Sequence, residues 1–176
     1  MRAVYEIFET GHGWVGLAAT DRGLVGSVLP VETRESVERK LIFSRETFDR
    51  LIPPPEDAIR LLSAYYQAEP VDLSRCTLDL TGVAPFDRKV YEIIVNIARG
   101  AVLTYGETAR RAGRPGAARA VGGAMSRNPL PPFIPCHRVV GSGGRMVGFS
   151  TEGGVKLKCR LLEMEGATLR GDRVIV

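Results

Sequence analysis

Cysteine and histidine are scarce in this chain, whose 176 residues include three cysteines and two histidines. The cysteines, Cys76, Cys136 and Cys159, contain no Cys-x-x-Cys pair. Three thiols cannot all form disulfides, and a reducing cytoplasm is the simplest compartment for such a protein. A zinc site needs about four ligands, most often at short characteristic spacings that this chain lacks. We therefore expect no disulfide framework and no metal site.

Long apolar runs are also missing. Gly, Arg or Pro interrupts every stretch before it approaches the roughly 20 residues of a membrane-spanning helix. The opening segment MRAVYEIFETGHG includes Glu6 and Glu9 and has no apolar core long enough for a signal peptide. With 44% hydrophobic and 25% charged residues, the composition is that of an ordinary globular protein. We expect a cytoplasmic monomer without membrane contact.

The net charge is +4, and the positive charge is concentrated in the second half of the chain. Residues 1–84 contain nine basic and thirteen acidic side chains, whereas residues 85–176 contain fifteen and seven. A basic coat on a globular domain is one explanation. The other is that the second half binds a polyanion such as nucleic acid, which commonly produces this asymmetry.

The first half predicts a small α/β domain that ends near residue 84. Apolar segments separated by turn signals at residues 11–13 and 21–23 predict an antiparallel meander over residues 3–29. Further elements follow from proline boundaries and apolar spacing: helices over 31–52 and 53–69, then a strand over 75–83. In that strand Cys76, Leu78 and Leu80 alternate with polar residues, so we expect Cys76 in the core.

The second half predicts mainly helices. A helix from Pro85 to Gly100 is followed by short helices within residues 105–113 and 114–129, a final helix over 154–166 and a hairpin at the end. The two short helices, joined by a turn that contains glycine, fit a helix-turn-helix. Cys159 lies on the apolar face of the final helix, so we expect it in the core as well.

The tetrapeptide PCHR places Cys136 beside His137 in a polar, proline-bounded segment. A free thiol has a pKa of about 8.5 and attacks as the thiolate, so it needs a base such as His137. A tight turn or one bridging water would let the imidazole take the proton. The imidazole in turn needs a carboxylate on its other nitrogen. The spacing alone does not choose among Glu152, Glu163 and Glu165.

Other roles for Cys136 are less consistent with the sequence. A thiol peptidase would need a distant histidine, and His12 is the only one that remains. A redox-sensing thiol usually has a resolving cysteine near it in sequence, which Cys136 lacks. A buried structural cysteine and a generic thiol hydrolase stay open as alternatives.

The segment GAARAVGGAM is a helix with almost no side chains except Arg119. Close packing against another helix would explain such a surface. The alternative is close approach to a DNA groove, with Arg119 reaching into it. Enzymes that act on a base extrude it from the stack, and an inserted side chain can fill the gap.

TYGETA, ARAVGGAMSRNP, PCHRVVG and the helix end LLEMEG occur in this order over roughly residues 85–166. These motifs together resemble the O6-alkylguanine-DNA alkyltransferase family. The resemblance implies an α/β first domain over 1–84 and a mainly α second domain over 85–176 that contains a helix-turn-helix. It implies one irreversible transfer of an alkyl group from O6-alkylguanine, and also O4-alkylthymine, in double-stranded DNA to a cysteine, without a cofactor.

The same resemblance assigns roles to individual residues. It makes Cys136 the nucleophile, His137 its base through water, and Glu165 the partner of His137. Tyr105 would rotate the nucleotide and donate to the departing base, and Asn128 would brace the loop that carries the cysteine. Further contacts with DNA and with the base are implied for two sets of residues: Ala118, Arg119, Gly122 and Arg127 on the DNA, and Val139, Phe149, Ser150 and Lys158 around the pocket.

Two features depart from the family pattern. The segment GFSTEGGVKLK is about two residues longer than usual, and Phe149 stands where tyrosine is frequent. Both affect the expected wall of the pocket. A rival hypothesis is a DNA-binding module that recognises damage or regulates genes without chemistry, but such a protein would not need the thiol.

Overall fold

A computed structural model describes residues 5–47 and 50–175 of the chain. Contacts divide it into two compact units, one formed by residues 1–81 with 129–133 and the other by 82–128 with 134–176. The division of roles between residues 1–84 and 85–176 remains a prediction.

The first unit contains a three-stranded antiparallel sheet in the order β1-β2-β3. The strands are β1 (Tyr5–Thr10), β2 (Gly13–Thr20) and β3 (Gly23–Val31). Pairing of Thr10 with Gly13 and of Thr20 with Gly23 places the hairpin turns where the glycines predict them. The positive φ angles of Gly13 and Gly23 explain why glycine closes both turns.

Helix α1 (Arg34–Thr47) packs against this sheet, and α2 (Glu56–Tyr66) follows it in the same unit. The core beneath α1 combines aliphatic residues of the three strands with Val37 and Leu41. Both helices are shorter than predicted. The first ends before residues 50–52, which are not helical and in which Ile52 pairs with Ala19, and the second excludes residues 53–55 and 67–69. Residues 48–49 of the first predicted helix lie outside the described part.

The strand predicted over 75–83 does not form. Only an isolated bridge joins Leu78 to Leu24, after a 3₁₀ turn at Leu73–Arg75. Asp79, not Cys76, is the buried residue of this segment, and Cys76 is half-exposed. Burial alone would raise the pKa of Asp79, but hydrogen bonds from Thr81 and Thr20 outweigh it and lower that pKa.

The second unit is mainly helical, as predicted. Its elements are α3 (Pro85–Val95), β4 (Leu103–Thr104), α4 (Tyr105–Arg111), α5 (Ala118–Ser126), β5 (Val139–Val140), α6 (Gly154–Met164), β6 (Thr168–Arg170) and β7 (Arg173–Ile175). Strands β6 and β7 form the predicted terminal hairpin. Cys159, predicted to be in the core, packs against a cluster of Val140, Met146, Leu162 and Val174 but is itself only half-buried.

The chain as a whole therefore combines a small antiparallel sheet with helices, a mixed α/β architecture. Within the described ranges, no helix is both long enough and apolar enough to span a membrane.

Candidate active site

A short parallel pairing brings the two key segments of the second unit together. Strand β4 pairs with β5 through Leu103–Val139 and Thr104–Val140. Helix α4 begins directly after β4, and a 3₁₀ turn at Cys136–Arg138 directly precedes β5. The start of α4 is therefore held beside the turn that carries Cys136 and His137.

A capping box fixes the start of α4. The Thr104 hydroxyl accepts a hydrogen bond from Glu107 N, and the Glu107 carboxylate accepts one from Thr104 N at 2.8 Å. This reciprocal arrangement satisfies two backbone donors at the helix start. It places Tyr105 as the first helical residue, with a defined direction.

Cys136 is buried, with 6% of its surface exposed. Burial raises the pKa of its thiol, while hydrogen bonding from the Asn128 side chain and the positive charge of Lys158 act in the opposite direction. Asn128 also donates to the carbonyl of Ile134 at 2.7 Å, which ties it to the loop before the cysteine. The net shift is upward, so Cys136 rests as a thiol and needs a base before it can attack.

Both His137 and Glu165 have side chains that are completely inaccessible to solvent, with Nε2 of His137 2.7 Å from Oε1 of Glu165. Burial tends to raise the pKa of Glu165, but hydrogen bonds from His137 and Arg138 hold it well below its usual range. An ionised carboxylate only accepts, so Nε2 carries the hydrogen and Nδ1 is the nitrogen that can take a proton. The other candidate carboxylates, Glu152 and Glu163, are exposed.

Burial lowers the pKa of His137, and the positive charges of Arg138 and Lys158 lower it further, against the opposing effect of Glu165. The imidazole is therefore neutral at physiological pH. A neutral imidazole oriented by a carboxylate has the state that a general base requires.

Arg138 and Gly100 belong to this site, although the sequence did not single them out for a role. Arg138 donates to both carboxylate oxygens of Glu165, at 2.8 and 2.9 Å, and to the carbonyl of Ile97 at 2.6 Å. Gly100 has φ +75°, and a Cβ there would lie 2.9 Å from the backbone oxygen of Glu165. The arginine of PCHR was the available signal for the first residue. Gly100 was predicted to end the helix that begins at Pro85, but α3 already ends at Val95, and the glycine serves the close approach to Glu165 instead.

Lys158 is a fully buried cation on α6. Its ammonium donates to the carbonyls of Val139 at 2.5 Å and Val147 at 3.1 Å. It also lies 5.7 Å from the ring centroid of Tyr105 and 5.8 Å from that of Phe149. Burial lowers the pKa of Lys158 to about 8. The lysine thus connects β5, the segment after it and two aromatic rings.

The predicted pocket residues are brought together with one exception. Tyr105 donates a hydrogen bond to Gly148 O at 3.3 Å, and burial raises the pKa of its phenol, with Cys136 contributing in the same direction. Val139 accepts a hydrogen bond from Lys158, and the ring of Phe149 lies next to the same ammonium group. Ser150 is exposed and makes no hydrogen bond with this group among the residues that the structure describes.

Helix α5 presents Arg119 on its exposed side, with no hydrogen bond or ion pair to any described residue. Ala118 and Gly122 are half-exposed on the same helix. Arg127, at its end, instead donates twice to the buried Asp87 of α3, at 2.8 and 3.0 Å. The hydroxyl of Tyr91 donates to Ala124 O at 2.8 Å, so α3 fixes α5 at two points.

Chemically, the site offers one thiol, one neutral base and a phenol close together. Within residues 5–47 and 50–175, no cluster of three or more His, Cys, Asp or Glu is arranged to hold a metal ion. The arrangement is suited to nucleophilic attack by sulfur followed by protonation of a leaving group.

Comparison with solved structures identifies relatives over almost the whole chain. The O6-methylguanine methyltransferase of Mycobacterium tuberculosis is 34% identical, with a TM-score of 0.70 and coverage of 92% of this chain and 91% of that protein. The O6-methylguanine-DNA methyltransferase of Pyrococcus kodakaraensis is 31% identical, with a TM-score of 0.70, over 92% and 98%.

Residues 85–167 match the profile of the 6-O-methylguanine DNA methyltransferase DNA-binding domain. A methylated-DNA–protein-cysteine methyltransferase of Methanothermobacter thermautotrophicus is 50% identical over 58% of this chain and 56% of its own length. One from Mycobacterium leprae is 42% identical over 62% and 64%. The chain thus spans between half and two thirds of these curated relatives. The near-complete match to the solved structures shows that the chain belongs to the O6-methylguanine-DNA methyltransferase family.

Proposed function

We propose that this protein repairs DNA by direct reversal of damage, transferring the alkyl group of O6-alkylguanine, and of O4-alkylthymine, to its own Cys136. The observation that carries the proposal is the buried array of Cys136, His137 and Glu165 beside Tyr105. The methyltransferase names of the relatives support the same reaction.

The reaction needs no cofactor. His137 takes the thiol proton either directly, if the tight turn brings the two side chains together, or through one bridging water. Glu165 stabilises the imidazolium that results. Sulfur then bonds to the alkyl carbon as the bond from that carbon to guanine O6 breaks. The bonding electron pair leaves with guanine, and the hydroxyl of Tyr105, the first residue of α4, donates a hydrogen bond that stabilises the departing base.

The product is a thioether on Cys136. A carbon–sulfur bond of this kind has no route back within the site, so each molecule acts once. Because the thiol must stay reduced until it meets damage, we place the protein in the cytoplasm, acting as a monomer on double-stranded DNA.

We assign DNA recognition to α4 and α5 as a helix-turn-helix within the domain 85–176. A Cβ at Gly122 would meet only the Tyr105 ring, at an ordinary 4.0 Å, so packing within the protein does not demand glycine there. The small surface of Ala118 and Gly122 instead suits close approach to a groove. The M. tuberculosis relative has been solved in complex with DNA, at 32% identity and a TM-score of 0.72.

We assign individual roles on the same basis. Arg119 is exposed and makes no hydrogen bond or ion pair with a described residue, and we assign it to the gap left by an extruded base, with Tyr105 rotating the nucleotide. Arg127 holds α5 against α3 through Asp87, in addition to its proposed contact with DNA. Val139, Phe149, Ser150 and Lys158 are assigned to the pocket for the base.

A repair assay tests this function. The protein is incubated with duplex DNA that contains one O6-methylguanine, and the bases are then quantified by chromatography. We expect guanine to replace O6-methylguanine in a one-to-one ratio to protein, with no added cofactor. Release of a free base, or several repairs by each molecule, would contradict a suicide transfer.

A further inference from the structure

Arg138 stands behind the His137–Glu165 pair and holds the carboxylate that the base uses. Its guanidinium forms two short hydrogen bonds with Glu165, and its third nitrogen is anchored to Ile97 O. Its side chain is only 13% exposed, and that of Glu165 is fully buried. A two-point contact between a guanidinium and a carboxylate fixes the orientation of both groups.

We propose that Arg138 is a positioning residue for alkyl transfer. It fixes the orientation of Glu165 and balances part of the negative charge of that carboxylate, so that His137 rests as a neutral base. The inference rests on the proposed function of Cys136. Without Arg138, Glu165 would serve as a full counterion for His137 alone. The imidazole of His137 would then already be protonated and could not accept the proton of the Cys136 thiol.

The charged groups around His137 come from several elements. Glu165 ends α6, Lys158 lies on the same helix, Cys136 precedes the histidine, and Arg138 follows it. Arg99, from the segment after α3, donates to Met164 O, next to Glu165. Glu165 thus favours the protonated imidazole, whereas Arg138 and Lys158 disfavour it. Removing Arg138 therefore favours the protonated, cationic form of His137.

The test uses Arg138→Gln and Arg138→Lys in the full-length chain. Because the chain has only two histidines, NMR titration can follow His137 with the exposed His12 as an internal reference. Transfer from free O6-benzylguanine is measured over the same pH range. Arg160→Gln removes one exposed positive charge from α6 and serves as the matched control, with an unchanged rate and titration.

We expect Arg138→Gln to raise the pKa of His137 and to move the acidic limb of the rate profile to higher pH, with a roughly tenfold loss at neutral pH that recovers in alkali. Arg138→Lys keeps the charge but loses the two-point contact, so the histidine titration should stay and transfer should slow at every pH. The double variant Arg138→Gln/Glu165→Gln should be no slower than Glu165→Gln alone.

In Arg138→Gln, a loss of rate that is equal at every pH, together with an unmoved His137 titration, would overturn the proposal and leave Arg138 as a structural anchor. If Arg138→Gln does not fold, a shifted titration in Arg138→Lys would overturn it equally. The wild-type protein separates this result from the proposed function, because no transfer from O6-benzylguanine by the wild type would contradict the alkyl-transfer chemistry itself.

Discussion

His137 Nε2 lies 2.7 Å from Glu165 Oε1, and solvent reaches neither side chain. The two residues are 28 positions apart, and Glu165 is the C-terminal cap of α6. Glycine follows at position 166 with φ +91°, so the chain turns away directly after the carboxylate. The end of α6 therefore determines where the base of the reaction finds its partner.

Replacement of Glu165 by glutamine should slow transfer by roughly a hundredfold at neutral pH, because the imidazolium loses its counterion. Removal of the carboxylate also lowers the pKa of His137, since Glu165 raises it in the intact site. The residual rate should keep rising with pH as the thiol ionises directly. Inactivation by O6-benzylguanine, followed against pH, measures this. An unchanged profile would mean that another residue partners His137.

Lys158 should make the stability of the protein depend on pH in alkali. Its pKa of about 8 in the folded state lies below the ordinary 10.5, so the unfolded chain binds more protons between these values. The lysine therefore destabilises the fold below pH 8, and this cost disappears as the pH rises towards 10.5. We expect the free energy of unfolding of the wild type to gain roughly 2–3 kcal/mol relative to Lys158→Met between pH 7 and 10. Urea denaturation of both proteins across this pH range measures the two free energies of unfolding. A difference between them that does not change with pH would refute the buried cation.

Arg119→Ala should impair repair of duplex DNA far more than reaction with free O6-benzylguanine. The free base needs no extrusion, so the unstacking cost of a few kcal/mol never arises. A mismatch opposite the lesion should partly rescue the variant, because a poorly paired base is easier to extrude. Arg170→Ala, at an exposed position of β6, is the control and should at most weaken DNA binding and its salt dependence. Equal losses on duplex, mismatch and free base would make Arg119 a structural residue.

Asn128→Ala should both destabilise the protein and slow transfer. The variant loses the hydrogen bond to Ile134 O and the bond to the thiol, which lowers the pKa of Cys136. Leaving a buried acceptor unsatisfied costs about 1–3 kcal/mol. Thermal unfolding and the rate with O6-benzylguanine should both change. If the rate falls without any loss of stability, bracing of the loop is not its role.

The sequence predicted the elements whose signals are local. Glycine turns gave the meander, and the proline start gave α3, although α3 ends at Val95 and not at the predicted Gly100. Gly113 and Gly166 marked the ends of α4 and α6. The prediction of a strand over residues 75–83 was wrong. Alternation of apolar and polar residues indicates which side chains share a face, but it does not show whether a neighbouring strand is available for pairing. Asp79 is buried by contacts with Thr20 and Arg22, nearly sixty residues away, which no local pattern contains.

The site divides in the same way. Cys136 and His137 were visible as neighbours in sequence. Thr104 and Glu107 have the spacing of a capping box, a local signal for the start of α4 that was available in the sequence but was not used. Spacing could not choose among Glu152, Glu163 and Glu165, because the way α6 ends decides which carboxylate is buried beside His137. The link from Arg138 to Glu165 is likewise visible only in three dimensions.

The attack of Cys136 on the alkyl group is tested most directly by mass spectrometry. The protein is incubated with duplex DNA that contains O6-methylguanine, and its intact mass and peptides are then measured. We predict a gain of one methyl group in place of one hydrogen, on the peptide that contains Cys136, while Cys136→Ala and Cys136→Ser bind the damaged duplex without any gain. Binding without a gain in the wild type, or a methyl group on Cys76 or Cys159, would contradict the account.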